Sequence, residues 1–180
     1  YNGKQWIKEQ INSILNQKGV DVTIFISDDL STDGTREYIQ DEYSNIKNII
    51  ILNDAGKFGG AAKNFYRLIR DVNFTGFDYI SLADQDDVWY EDKLIRAIST
   101  IEEKQIDGYS SNILAFWEDG KEMVLDKAQN QTKYDYLFEA AGPGCTYVLK
   151  SNLANKIQSF IKLKWDDVNQ IDLHDWLIYA

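Results

Sequence analysis

Cysteine, proline, histidine and methionine occur once each in these 180 residues, and lysine plus arginine number 19 against 29 acids. A lone Cys145 can form no disulfide within the chain and fits a reducing compartment. A single proline leaves no proline-rich linker, and no repeat or low-complexity tract divides the chain. The net charge of −10 speaks against nucleic-acid backbones and anionic membrane surfaces as main partners, since both require a basic face. No apolar run approaches the roughly 18 residues of a spanning helix, and no signal peptide is visible. We therefore expect a soluble cytoplasmic chain. Any contact with the inner face of the cell membrane is expected to come from regions outside it. The abrupt start at Tyr1-Asn2 and the stop within a helix-like 174–180 suggest a piece of a longer protein.

What is present is a foldable chain. Hydrophobic residues make up 44%, enough for one domain with a sizeable core. Ile7, Ile11, Ile14 and Leu15 share one face of a helix over about 5–16. The apolar run 22–27 predicts a buried strand. In the polar turn that follows, Thr32 or Asp33 can cap a helix over 35–43. A strand over 48–52 leads into the Gly-rich "NDAGKFGGAAKN" and a helix with Phe65, Leu68, Ile69 and Val72 inward. A strand over 79–83 comes next, then an acidic turn and a helix presenting Leu94, Ile98 and Ile101. This alternation is the pattern of a parallel, doubly wound α/β sheet. After about residue 104 the rhythm changes to a hairpin over 113–125, a short strand ending "AGPGCTYVLK", and a helix that Ser151 can cap and that carries Leu153, Ile157 and Phe160.

Three polar clusters, "DDLSTDGT", "NDAGKFGG" and "DQDD", each follow a strand. In open α/β sheets ligands bind beyond the carboxyl ends of the strands, so all three belong on one rim. Asp84, Asp86 and Asp87 crowd together there. At about 5 Å and an effective dielectric of about 20, each like-charged pair costs on the order of 3 kcal/mol. A solvated turn favouring the next helix N-terminus is the plain reading. The crowding and the rim position favour a divalent cation, Mg²⁺ or Mn²⁺, with phosphate oxygens completing its shell. Residues 29–34 partly match an EF-hand loop, but the twelfth position is Gln40 and the loop follows a strand, so calcium is set aside. The glycines at 56, 59 and 60 fit neither dinucleotide nor P-loop spacing. They serve close backbone approach, with Lys57 and Lys63 near any bound anion. Cys145 reads as a small core residue. Asp175, beside His174, is either a surface or helix-capping residue or a general base.

With these stretches in view, the chain resembles the inverting glycosyltransferases of family 2, which have the GT-A fold. The resemblance rests on "YNG…IKEQINSILNQ", "ISDDLSTDGTREYI", "GGAAKNFYRLI", "DQDDVWYEDKL" (the DXD region), "GPGCTYVLK" and "HDWLIYA". It is nearest the bacterial rhamnosyltransferase branch, which builds surface polysaccharides. It implies a single GT-A domain over 1–180, with a nucleotide-sugar-binding half over 1–105 and an acceptor and catalytic-base half over 106–180. It also implies a mostly parallel sheet beside a smaller mixed one. Tyr1, with Asn2 beside it, then corresponds to a base contact and Asp29 to a hydrogen bond with the base edge. Asp28, Lys63 and Gln85 fall on the same nucleotide side. Asp84 corresponds to the ribose or metal shell, Asp86 to the direct metal ligand with Asp87 beside it, and Asp175 to the general base.

Two departures stand out. The family's first, central strand is absent before Tyr1, which predicts a sheet without its middle strand. Leu30 occupies a turn position where the family usually has glycine.

The implied reaction is a single displacement. A metal-held nucleotide-diphosphate sugar is attacked at C1 by a hydroxyl of a glycan or lipid-linked glycan acceptor, with Asp175, partly buried near His174 and Trp176, taking the proton. Trp89 and Trp117 are candidates for sugar stacking or plain core. A sugar nucleotidyltransferase would show a basic Gly-rich loop after the first strand, which is not visible. A catalytically silent carbohydrate-binding module would need neither Asp86 nor Asp175.

Overall fold

Alternating strands and helices build the first hundred residues in the computed structural model, which describes residues 1–180. In order they are α1 (Ile7–Leu15), β1 (Ile24–Ile26), α2 (Thr35–Tyr43), β2 (Ile49–Ile51), α3 (Ala61–Asp71), β3 (Tyr79–Ser81) and α4 (Lys93–Lys104). The second half adds β4 (Gly108–Tyr109), the hairpin β5 (Ile113–Phe116) and β6 (Glu122–Leu125), then β7 (Val148–Lys150), α5 (Ser151–Leu163), α6 (Trp165–Val168) and α7 (His174–Tyr179). One-turn 3-10 helices lie at Asp135–Leu137 and Gly144–Thr146. No helix is long and apolar enough to cross a membrane.

Strands β1 and β2 pair in parallel, joined by the crossover through α2. Strand β3 pairs antiparallel with β7, which also pairs antiparallel with β4. The α3 face packs against β3, β7 and α5 through Phe65, Tyr66, Ile69, Val72, Leu149 and Ile161. Gln158 of α5 locks that packing by donating to the carbonyls of Ile69 and Val72 at 2.6 and 2.7 Å. Truncating Phe65 there would cost about 3–5 kcal/mol.

Strands β1 and β3 do not bond to each other. Between them runs a cleft of about 1200 Å³, walled by residues 24–27 and 78–84 and flanked by Ile14 of α1, Phe65 of α3 and Leu94 of α4. All three residues of each flanking strand are only partly buried, so the fully buried strand expected at 22–27 is half-buried because one of its edges opens on the cleft.

Local expectations held unevenly. Asp33 accepts from the Thr35 amide at 3.0 Å and so caps α2 through the turn, while Gly34, at φ 83°, is the residue that precedes the helix. Ser151 does not cap α5. It is the first helical residue, and no side-chain cap bond forms there. Phe160 is half exposed, leaving Leu153 and Ile157 to face the core.

Candidate active site

Of the residues singled out from the sequence, Tyr1, Asp28, Asp29, Asp84, Gln85 and Asp86 line the cleft, whereas Asn2 does not. Tyr1 and Gln85 form a reciprocal pair. The terminal ammonium donates to Gln85 Oε1 at 3.0 Å, and Gln85 Nε2 donates to the Tyr1 carbonyl at 3.1 Å. Gly3 allows this closeness, since a Cβ there would lie 2.8 Å from Gln85 Oε1. Asn2 ties the same segment to the "DDLSTDG" turn, donating its amide to Ser31 Oγ and accepting from the Thr32 amide, both at 2.8 Å. Lys57 stands 4.6 Å over the Tyr1 ring. Lys57 lines the cleft, whereas Lys63, on the first turn of α3, does not.

Asp28 and Asp29 are buried and already partnered. Asp28 accepts from the amide and hydroxyl of Ser31. Asp29 accepts from the amides of Phe58 and Gly59, clamping the Gly-rich loop to the end of β1. Arg67 braces this region from α3: buried, it donates to Ser27 Oγ and to the Asn53 carbonyl. Leu30 adopts φ 58°, the left-handed conformation that its glycine counterpart would take freely. The turn therefore keeps its geometry at a cost of about 1–2 kcal/mol.

The acidic turn differs. Oxygens of Asp84 and Asp87 and the Cys145 thiol lie within 4.8 Å of one another. Asp87 Oδ2 is buried without a partner. Burial, then the charges of Asp87, Asp86 and Asp175, push Asp84 up to about 6, with Lys93 acting in the opposite sense. Burial raises Asp87 as well. Asp86 is exposed on the cleft wall and stands outside that three-atom cluster. The cluster joins Asp84 and Asp87 rather than Asp86 and Asp87. Burial raises the Cys145 thiol far above its ordinary value, which fits a core residue and not a nucleophile.

Lys93, which sequence reasoning passed over, sits among these acids. Its Nζ donates to the Cys145 carbonyl at 2.8 Å and lies 3.2 Å from the centroid of the Trp89 ring. Burial pulls it down to about 7. A signal was available: a lysine opening a helix faces the positive end of the dipole, a position that favours acids. Trp89 is buried and belongs to the core around α4, so sugar stacking does not fall to it, whereas Trp117 is half exposed beside the hairpin turn.

Asp175 opens α7, where its Oδ1 accepts from the Trp176 amide at 2.8 Å. It is half-buried, as expected near His174 and Trp176. The His174 ring stacks on Phe65 with centroids 4.0 Å apart, and burial lowers its pKa, keeping it neutral. Gly144 packs against His174 Nε2, leaving no room for a Cβ. Tyr147 donates to the Asp175 carbonyl at 3.2 Å, and Trp176 Nε1 donates to the Tyr136 carbonyl at 2.6 Å. Tyr66, fully buried with an unpartnered hydroxyl, has its pKa raised by burial and by the nearby charge of Asp175. Tyr147 and Gly144 thus contact the α7 N-terminus; both stood in a quoted motif, but nothing local in it showed this role.

The α/β fold is that of solved GT-A glycosyltransferases. S. aureus TarS in complex with UDP is similar with a TM-score of 0.68 at 19% identity, over 99% of this chain and 51% of that one. The mannosyltransferase PcManGT from Pyrobaculum calidifontis, in complex with GDP-Man and Mn²⁺, gives 0.61 at 15% identity, over 87% and 44%. Residues 1–163 match the family described as Glycosyl transferase family 2, and the chain belongs to that family. It is 49% identical to the dTDP-rhamnosyl transferase RfbG of Shigella flexneri, over 100% of this chain and 63% of that protein. It is 26% identical to the Escherichia coli glucosyltransferase WfgD, named for transfer from UDP-Glc, over 86% of this chain and 59% of that protein. The chain thus spans about 60% of the length of these curated relatives.

Proposed function

We propose that this chain is the donor-binding and general-base portion of a metal-dependent inverting glycosyltransferase. It moves a sugar, rhamnose from dTDP-rhamnose, to a hydroxyl of a glycan or lipid-linked glycan in cell-surface polysaccharide synthesis. The observation that carries this reading is geometric: the Cys145 thiol lies with the Asp84 and Asp87 oxygens, and the neighbouring Gly144 packs against His174, next to Asp175, so a candidate base is tied to the crowded rim acids although ninety-odd residues separate them in sequence. The choice of dTDP-rhamnose rests on the 49% identity with RfbG.

A divalent cation fits the acidic turn, because hard oxygen donors converge there and one buried carboxylate oxygen lacks a partner. Asp84, Asp86 and Asp87 would hold it, and it would supply positive charge for the diphosphate oxygens of the leaving group. Tyr1, Asn2 and Gln85 bind on the nucleotide side. Asp28 and Asp29 act chiefly by fixing the two loops that shape that pocket. Asp175, its orientation fixed by the Trp176 amide, removes the proton from the acceptor oxygen. That oxygen bonds to C1 as the bond from C1 to the diphosphate breaks on the opposite face, which inverts the centre. The nucleoside diphosphate leaves with the electron pair.

Calorimetric titration with dTDP and UDP, with and without Mn²⁺, tests the donor site beside Asp86→Ala. Metal-dependent binding that favours dTDP and is lost in the variant is the expected result. A folded chain that binds neither nucleotide would overturn the reading. In single-turnover transfer, Asp175→Asn is expected to lose about 10²–10⁴-fold in rate while dTDP binding stays unchanged.

A further inference from the structure

Lys93 is partly buried at a helix N-terminus, where the dipole disfavours positive charge, and the proposed reaction gives it no task. An amine so placed keeps its position only when its surroundings hold it. Here two contacts do so: the Trp89 ring, 3.2 Å from Nζ to the centroid, and the Cys145 carbonyl, which accepts at 2.8 Å. Trp89 lies two residues beyond Asp87, and its own amide is fixed by Ser13 Oγ at 3.0 Å. Cys145 lies in the Gly144–Thr146 turn of the second half, with its thiol beside the Asp84 and Asp87 oxygens. The ammonium therefore joins the strand-to-helix turn that carries the acids to the segment packed behind them. Among those acids, Asp87 Oδ2 is buried with no partner.

We propose that Lys93 is a positioning residue for the acidic turn, bridging Trp89 and the Cys145 carbonyl so that the Asp84 and Asp87 carboxylates stay at a spacing one divalent cation can span. The inference rests on the metal-dependent reading above. Two effects compete when Lys93 is neutralised. Removing a positive charge from beside the acids strengthens cation binding by Coulomb attraction, whereas releasing the turn weakens it by letting the carboxylates separate. The two contacts, one to each side of the turn, favour the second effect.

The test is Mn²⁺ affinity of the nucleotide-free chain, read from the free-Mn²⁺ electron paramagnetic resonance signal well below the thermal midpoint. Lys93→Met is expected to bind Mn²⁺ at least tenfold more weakly than the unsubstituted chain. Lys93→Arg is expected to recover most of the loss, since a guanidinium can still stack on Trp89 and donate to the carbonyl. A folded Lys93→Met that binds Mn²⁺ as tightly as the unsubstituted chain, or more tightly, would overturn the proposal while leaving the metal-dependent reading intact. If the unsubstituted chain itself binds no Mn²⁺, that reading fails and the proposal fails with it. Should Lys93→Met not fold, Lys93→Gln, which keeps a donor for Cys145, takes its place under the same criteria. Unfolding of both would make Lys93 a residue of core stability and overturn the positioning role.

Discussion

Residues 28–33 and residues 84–87 each put three carboxylates after a strand, yet the structure treats them in opposite ways. In the first turn every acid accepts hydrogen bonds from the protein: Asp28 from Ser31, Asp29 from Phe58 and Gly59, and Asp33 from Thr35 and Lys4. In the second, Asp84 and Asp87 lie against each other, one oxygen is orphaned, and both groups are pushed towards the protonated form. The first turn is a scaffold that uses carboxylates as acceptors for loop amides. The second holds charge that the protein itself leaves uncompensated. Acid density marks a site poorly, and hydrogen-bond satisfaction separates the two cases.

Exchanging the two roles should fail in opposite directions. The largest effect is expected at the scaffold. Asp29→Ala leaves the Phe58 and Gly59 amides without their acceptor and should cost about 3 kcal/mol, or about 6–12 °C in thermal midpoint, by urea and thermal unfolding. A loss under 1 kcal/mol would mean that the clamp is ornamental and would blunt the comparison.

A smaller effect, of opposite sign for folding and for binding, is expected at Asp84. Its folded-state value of about 6 lies above its ordinary 3.8. The folded chain therefore takes up a proton between about 6 and 4 that the unfolded chain binds only lower. This group's contribution to metal-free stability accordingly rises as pH falls through 6. Metal binding runs the other way, since the carboxylate must be ionised. Mn²⁺ affinity should fall about tenfold from pH 7 to pH 5. The groups bearing on Asp84 are Asp86, Asp87, Asp175 and Lys93. Titrating Mn²⁺ at both pH values, beside Asp84→Asn, checks this. A flat pH profile in the unsubstituted chain would remove Asp84 from the cation's shell.

The smallest effect returns to the first turn. Leu30 holds φ 58° and is partly exposed. Relief of left-handed strain in Leu30→Gly outweighs the added freedom of the unfolded chain by up to about 1 kcal/mol. A gain in urea midpoint with nucleotide affinity unchanged would support this. Destabilisation would show that the leucine side chain contributes packing that the turn needs.

Much of this was legible beforehand. The apolar spacing of Ile7, Ile11 and Ile14 and of Phe65 and Ile69 predicted helices that exist and faces that are buried. A gap in the sheet was also expected, and a cleft does separate β1 from β3. Less legible was which acids were already partnered. The donors to Asp29 lie 29 and 30 residues on, at the Gly-rich loop, and nothing in "DDLSTDG" announces them. Lys93 stood inside a quoted motif and was passed over, because its partners are an aromatic ring and a main-chain carbonyl 52 residues away. Ser151 misled in the reverse direction: a residue type that favours caps sat one position inside the helix.

The sequence by itself determined the order of strands and helices and the placing of polar clusters at strand ends, because periodicity and turn chemistry act over a few neighbouring residues. It also determined membership in a family whose motifs are local strings. Only the tertiary structure decided which carboxylates are satisfied, which one is left orphaned, how Asp175 comes to bear on Asp84, and what anchors Lys93. Those outcomes depend on hydrogen-bond donors and charges brought together from distant segments, and burial and Coulomb interaction respond to distance in space rather than to distance along the chain.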